Sequence, residues 1–96
     1  MRVEFVEKSN GPERLVCDAE IIFDEEGPLA GMKLIGLSLW RAAEGQIFVT
    51  FPARSFGTGA ERKFWDFLRP VNGNGPEVSR AVKGWIIDAY RARMAA

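Results

Sequence analysis

The chain opens on an alternation. Val3 and Phe5 fall between Arg2, Glu4 and Glu7, the period-two pattern of a strand that buries one face, and the pattern stops at the turn-forming Asn10-Gly11-Pro12. In LVCDAEIIFD, Leu15, Cys17, Ala19, Ile21 and Phe23 share one face while Asp18, Glu20 and Asp24 take the other, as in a half-buried antiparallel strand. Asp24-Glu25-Glu26-Gly27-Pro28 closes it. GMKLIGLSLWR, residues 31–41, is apolar on both faces apart from Lys33 and Ser38, which predicts a central strand or one covered on both sides. Ala43-Glu44-Gly45 then turns the chain into QIFVTFP, completing a hairpin. Pro52 halts this fourth strand, and the segment from Arg54 to Gly59 reads as a loop that leads into a fifth strand over residues 62–68.

Past a loop at residues 70–76, rich in Pro, Gly and Asn, the period changes. Val78, Val82, Trp85, Ile86, Ala89 and Tyr90 recur at helical spacing, with Pro76 and Glu77 suited to a helix start and Arg91 and Arg93 to its end. The expected architecture is α+β: one domain over residues 1–96, a five-stranded antiparallel sheet to about residue 69 and a C-terminal helix over about 76–94 that covers one face. Strand edges left open by so small a sheet favour pairing with a second copy, so a homodimer is expected.

Composition narrows the chemistry. The 96 residues contain no histidine, which removes the commonest general base and zinc ligand. The lone Cys17 offers neither an internal disulfide nor a metal-ligand spacing and reads as a small core side chain. The three carboxylates at Asp24, Glu25 and Glu26 lack the alternating ligands and glycine of a calcium loop and read as a solvated turn. No paired carboxylates, activated nucleophile or cofactor motif is present, so neither enzyme activity nor a cofactor is expected. No apolar run of membrane-spanning length interrupts the chain, and its start is charged, so a cytoplasmic location is expected. The formal charge is zero, but residues 1–31 carry eight acidic and three basic groups, whereas residues 32–96 carry ten basic and five acidic. Such a split fits an acidic and a basic face, the latter facing a polyanion, and it equally fits mixed solvated charge.

Candidate binding residues gather around the 54–69 segment. Gly57-Thr58-Gly59 before Arg62 and Lys63 departs from a phosphate-loop signature, because an apparent strand follows instead of a helix. Phosphate backbones ask only for reachable cations, and Arg54, Arg62, Lys63 and Arg69 supply them. Phe56 is placed to stack on an unpaired base, while Phe64, Trp65 and Phe67 read as core residues of the fifth strand. Arg80 and Lys83 stand outside the apolar stripe of the helix and extend the basic set.

The order of these features resembles a known family. A strand into an acidic turn, IIFDEE, then GMKLIGLSLW, a glycine turn, FVTFPAR, a glycine loop, FWD, a proline, and a helix with Val82, Ile86 and Tyr90 look like the bacterial SpoVG (stage V sporulation protein G) family. The resemblance spans roughly residues 1–91. It implies a small antiparallel sheet with a C-terminal helix, a homodimer, and a cytoplasmic regulator that binds DNA or RNA and has no enzyme activity. Departures occur at basic positions of the family pattern: Ser55 follows Arg54, Trp65 precedes Asp66, and Ser79 stands beside Arg80 at the start of the helix. Two functional readings follow: a dimeric nucleic-acid-binding regulator, and a protein-interaction module that uses a sheet edge or the acidic face.

Overall fold

The computed structural model describes residues 1–8, 10–72 and 75–96; Gly73 and Asn74 of the expected 70–76 loop lie outside the described residues. The fold is α+β. Strands β1 (Arg2–Val6), β2 (Leu15–Ile22), β3 (Lys33–Arg41) and β4 (Ile47–Thr50) form an antiparallel sheet in the order β1-β2-β3-β4. The alternation read from the sequence sets its two faces. Cys17, Ala19 and Ile21 of β2, Leu37 and Leu39 of β3, and Val49 and Phe51 at β4 point inward with Ile86 of the single helix, α1 (Gly75–Ala95). Leu37, Leu39 and Ile86 are fully buried, each contributing on the order of 1.5–3 kcal/mol by removal from water. Cys17 belongs to this core, and burial pushes its thiol pKa up.

From Val82 onward the helix follows the expected stripe at Val82, Trp85, Ile86 and Tyr90, and Ile87, outside that stripe, also packs against the core. Tyr90 meets Phe5 of β1 edge to face at 5.4 Å, and the Arg93 guanidinium donates to the Phe5 carbonyl at 3.0 Å, which pins the far end of α1 to the sheet rim. Val78 departs from the expected stripe. It is 49% exposed.

The opposite face of the sheet has no covering element among the described residues, so β3 is central but not covered on both sides. Three carboxylates of the acidic half, those of Glu4, Asp18 and Glu20, lie on that face. Glu4 lies opposite Glu20 across β1 and β2, a like-charge pairing relieved by Arg2 on Glu4 at 2.9 Å and Lys33 on Glu20 at 3.0 Å. Ser38 donates to Asp18 at 3.2 Å, and the Trp40 indole N–H donates to Thr50 Oγ1 at 2.8 Å.

The largest correction concerns the segment after Pro52. It is not a loop followed by a fifth strand of the same sheet. The chain resumes as β5 (Ala53–Phe56), makes a short 3-10 turn at Gly59–Glu61 and returns as β6 (Lys63–Asp66), so β5 and β6 form a separate two-stranded ribbon. Arg54 and Phe56 therefore lie on a strand, and the loop shrinks to residues 57–62. Gly57, at φ +83°, makes the tight reversal; a Cβ there would sit 2.8 Å from the Glu61 carbonyl oxygen. Where the ribbon leaves the sheet, Gly36 is required in a similar way. Between Leu34 and Leu37, β3 carries one residue more than β2 does between Ile21 and Ala19, a bulge. Gly36 adopts φ +97° there, and its absent side chain leaves room for Pro52, whose Cβ would lie 2.8 Å from an added one. The Phe67 amide then donates to the Pro52 carbonyl at 2.7 Å and closes the base of the ribbon.

Candidate nucleic-acid interface

The ribbon register determines which side chains meet. Arg54 lies opposite Trp65 and Phe56 opposite Lys63, while Ala53 pairs with Asp66 and Ser55 with Phe64. Directly opposed residues share a face. One face therefore alternates cation and ring, with Arg54, Phe56, Lys63 and Trp65. The other carries Ser55, Phe64 and Asp66. By this register Asp66 belongs to the face opposite Arg54, at the margin of the ribbon where it pairs with Ala53.

All eight strand residues of the ribbon are exposed. Phe64, Trp65 and Phe67, expected in the core, are 68%, 52% and 65% exposed, and Phe56 is 45% exposed. The reason is topological: among the described residues, neither β5 nor β6 has a neighbour in the main sheet or in α1, so there is no second layer to bury the rings. A radius of gyration of 14.7 Å, against about 12.5 Å for a compact chain of this length, agrees with a ribbon that stands off the body.

The rings are instead matched with guanidinium groups. Arg54 lies over Phe56 at 5.0 Å, and Arg69, just past β6, lies over Trp65 at 5.9 Å. Phe56, Trp65, Asp66, Phe67 and Arg69 line a shallow concavity of about 230 Å³. Larger hollows of about 410 Å³ beside Val3, Phe5 and Arg93 and about 360 Å³ beside Arg14 and Arg41 bring no two aromatic rings together.

Charge is divided in the same way. Among the described residues, every ion pair lies within residues 1–33, whereas Arg54, Arg62, Lys63 and Arg69 have no carboxylate within ion-pair distance. Unpaired cations on an exposed ribbon keep their field available to an anion. Arg62 sits at the end of the 3-10 turn, where its amide donates to the Gly59 carbonyl at 3.2 Å. The two helix candidates are not part of this cluster. Arg80 is exposed on the first half of α1, and Lys83 is half-buried with its ammonium 4.9 Å from the centre of the Phe51 ring. No group of three or more Cys, Asp or Glu among the described residues is arranged to hold a metal, and no helix is long and apolar enough to cross a membrane.

Sequence reasoning missed Trp65 and Phe67 as site residues. The available signal was the i, i+2 spacing of Arg54 with Phe56 and of Lys63 with Trp65, which has meaning only once the two segments are paired. Comparison with protein-family models, with curated proteins and with solved structures finds no match to this chain.

Proposed function

We propose that this chain is a small, SpoVG-like cytoplasmic regulator that binds nucleic acid through the β5–β6 ribbon, acts as a homodimer and catalyses no reaction. The observation that carries the reading is the ribbon face itself, where unpaired cations alternate with exposed aromatic rings. Cations supply phosphate contacts and rings supply surfaces for bases, the two ingredients of nucleic-acid contact that do not require an enclosed pocket. The SpoVG-like order of sequence features, leading into an α+β chain with one C-terminal helix, supports it further. The homodimer rests on the ribbon's two outer strand edges, which have no partner among the described residues and are open to pairing with a second copy. Light scattering should then report about twice the 10.7 kDa chain mass, independent of reducing agent, since Cys17 is buried.

Binding of a labelled 20-nucleotide strand, followed by fluorescence anisotropy across a salt series, tests the reading. The parent should bind with a salt-dependent affinity. The triple variant Arg54→Ala, Arg62→Ala, Lys63→Ala should stay folded, bind more weakly and lose about one unit of salt slope per phosphate contact removed and protomer engaged. Equal binding by parent and variant would remove the ribbon as the site and direct attention to Arg80 and Lys83. A second reading, a protein-interaction module, is favoured by the open outer edge of β4 and the exposed Phe48 on the acidic side of the sheet. It predicts no nucleic-acid binding even at low salt.

A further inference from the structure

We infer that the Arg54–Trp65 face of the ribbon binds a single-stranded nucleic acid by stacking its unpaired bases, an inference that rests on the nucleic-acid reading above and adds the strand type and the residues that read it. Trp65, Phe67 and Phe56 provide the ring platforms. Arg54, Lys63 and Arg69 take the flanking phosphates.

Three observations select a single strand. The first is ring access: Trp65 and Phe67 are more than half exposed and Phe56 nearly so, and they gather with Arg69 around one open concavity. A duplex hides its base faces within its own stack and offers these rings only edges, sugars and phosphates. An unpaired base offers a flat face that a ring can cover. The second is the size of the hollow. At about 230 Å³ it falls short of the ~300–1,000 Å³ of sites that enclose a whole small ligand, while its open side admits a flat ring attached to a chain.

The third observation is electrostatic. Residues 53–69 hold four cations and two carboxylates, in a chain of zero net charge. Each ribbon therefore offers few phosphate contacts, and stacking adds a non-ionic source of affinity. The guanidinium groups already rest on the rings at 5.0 and 5.9 Å, within reach of a phosphate beside any base that takes their place. The same charges argue against a second copy on this face. A two-fold self-contact would bring together two surfaces that each carry Arg54, Lys63 and Arg69, which favours the strand edges over this face for the dimer.

The test uses the full chain and four labelled 20-nucleotide probes: oligo-dT, oligo-rU, a dA·dT duplex and an abasic strand that keeps the phosphates and lacks the bases. The parent should bind oligo-dT and oligo-rU at least about tenfold more tightly than the abasic strand or the duplex, with the difference between dT and rU reporting any preference for DNA or RNA. Trp65→Ala should weaken both base-bearing single strands about 5- to 150-fold while leaving the duplex and abasic strands within about twofold, and Trp65→Phe should restore most of the loss. Phe67→Ala, at a second exposed ring, should repeat the pattern and guards against a local folding defect at Trp65. Equal affinity for oligo-dT and the abasic strand, or a uniform loss across all four probes, would overturn stacking while the nucleic-acid reading stands. Binding of no probe would overturn both. Conversion of the dimer to a monomer by Trp65→Ala would assign the rings to self-association and overturn the inference as well.

Discussion

The four-stranded sheet with its helix and the two-stranded ribbon are built from similar residue types and solve opposite problems. Each alternates side chains between two faces, the sheet with interruptions between Leu15 and Cys17 and beside Gly36, and each is rich in large apolar groups. In the sheet, the inward row meets a helix, and Leu37, Leu39 and Ile86 disappear from solvent. In the ribbon, no layer among the described residues faces the row, and Phe64 and Trp65 stay in water. The charges divide in parallel: among the described residues, the ion pairs all fall within the first 33 residues, on the N-terminus, Arg2, Lys8 and Lys33, while the cations of the ribbon have no carboxylate within ion-pair distance. Hydrophobic content alone therefore does not distinguish a core from an exposed ribbon; the presence of a second layer does. An isolated two-stranded hairpin is only marginally stable in water, so this ribbon depends on its anchorage at Pro52 and Phe67.

The sharpest way to break this contrast is a pair of truncations. Leu39→Ala removes a fully buried side chain and should cost about 2–5 kcal/mol in urea unfolding. Phe64→Ala, which removes a larger ring, should change stability by no more than about 0.5 kcal/mol because the ring is already wet. A comparable loss in both would mean that the ribbon is packed in solution. Next in size is the joint between the regions. Gly36→Ala places a side chain at φ +97° and against Pro52, and should cost about 1–3 kcal/mol from backbone strain alone. Unchanged unfolding would show that the bulge does not fix the ribbon's departure.

Smaller again is the charge contrast. Lys33→Ala breaks an exposed pair with Glu20 and should cost less than about 1 kcal/mol. Lys63→Ala, having no pair to lose, should leave unfolding unchanged within error while it weakens nucleic-acid binding. If Lys63→Ala destabilises as much as Lys33→Ala does, the ribbon cations have structural partners.

What could be read in the sequence follows the same division. The strands β1 to β4 were legible, and so were the inward rows of β1 and of Cys17, Ala19 and Ile21 in β2, because that face meets another layer; a register shift takes Leu15 out of the expected row, and β3, apolar on both faces in the sequence, did not show which face is buried. The turn at Ala43-Glu44-Gly45 was legible too, and the Ala42 amide donates to the Gln46 carbonyl at 2.7 Å there. The ribbon was not. Pro52 ended the fourth strand correctly but hid the restart at Ala53, and ARSF lacks the apolar alternation that marks a strand. FWDF, in contrast, carries the signature of burial, and nothing local in it reports that its partner strand brings no second layer. The basic residues Arg54, Arg62, Lys63 and Arg69 were identifiable from composition. Their union with Trp65 and Phe67 depends on a register that only the folded chain displays. On the helix, the periodic stripe holds at Val82, Trp85, Ile86 and Tyr90, omits Ile87, which also packs on the core, and fails at Val78, which stays exposed.

The central claim is that contact with nucleic acid is confined to the ribbon while the sheet and helix only carry it. Residue-resolved hydrogen exchange of the full chain, with and without a 20-nucleotide oligo-dT strand, addresses this directly. In the free protein, amides of β5 and β6 should exchange well before those of β2 and β3, as expected for strands with few packed neighbours. Addition of the strand should slow exchange across residues 53–69 and leave β2, β3 and the outer sheet face around Trp40 and Phe48 unchanged. Protection centred on Trp40 and Phe48, or no change anywhere under conditions where anisotropy reports binding, would contradict the account.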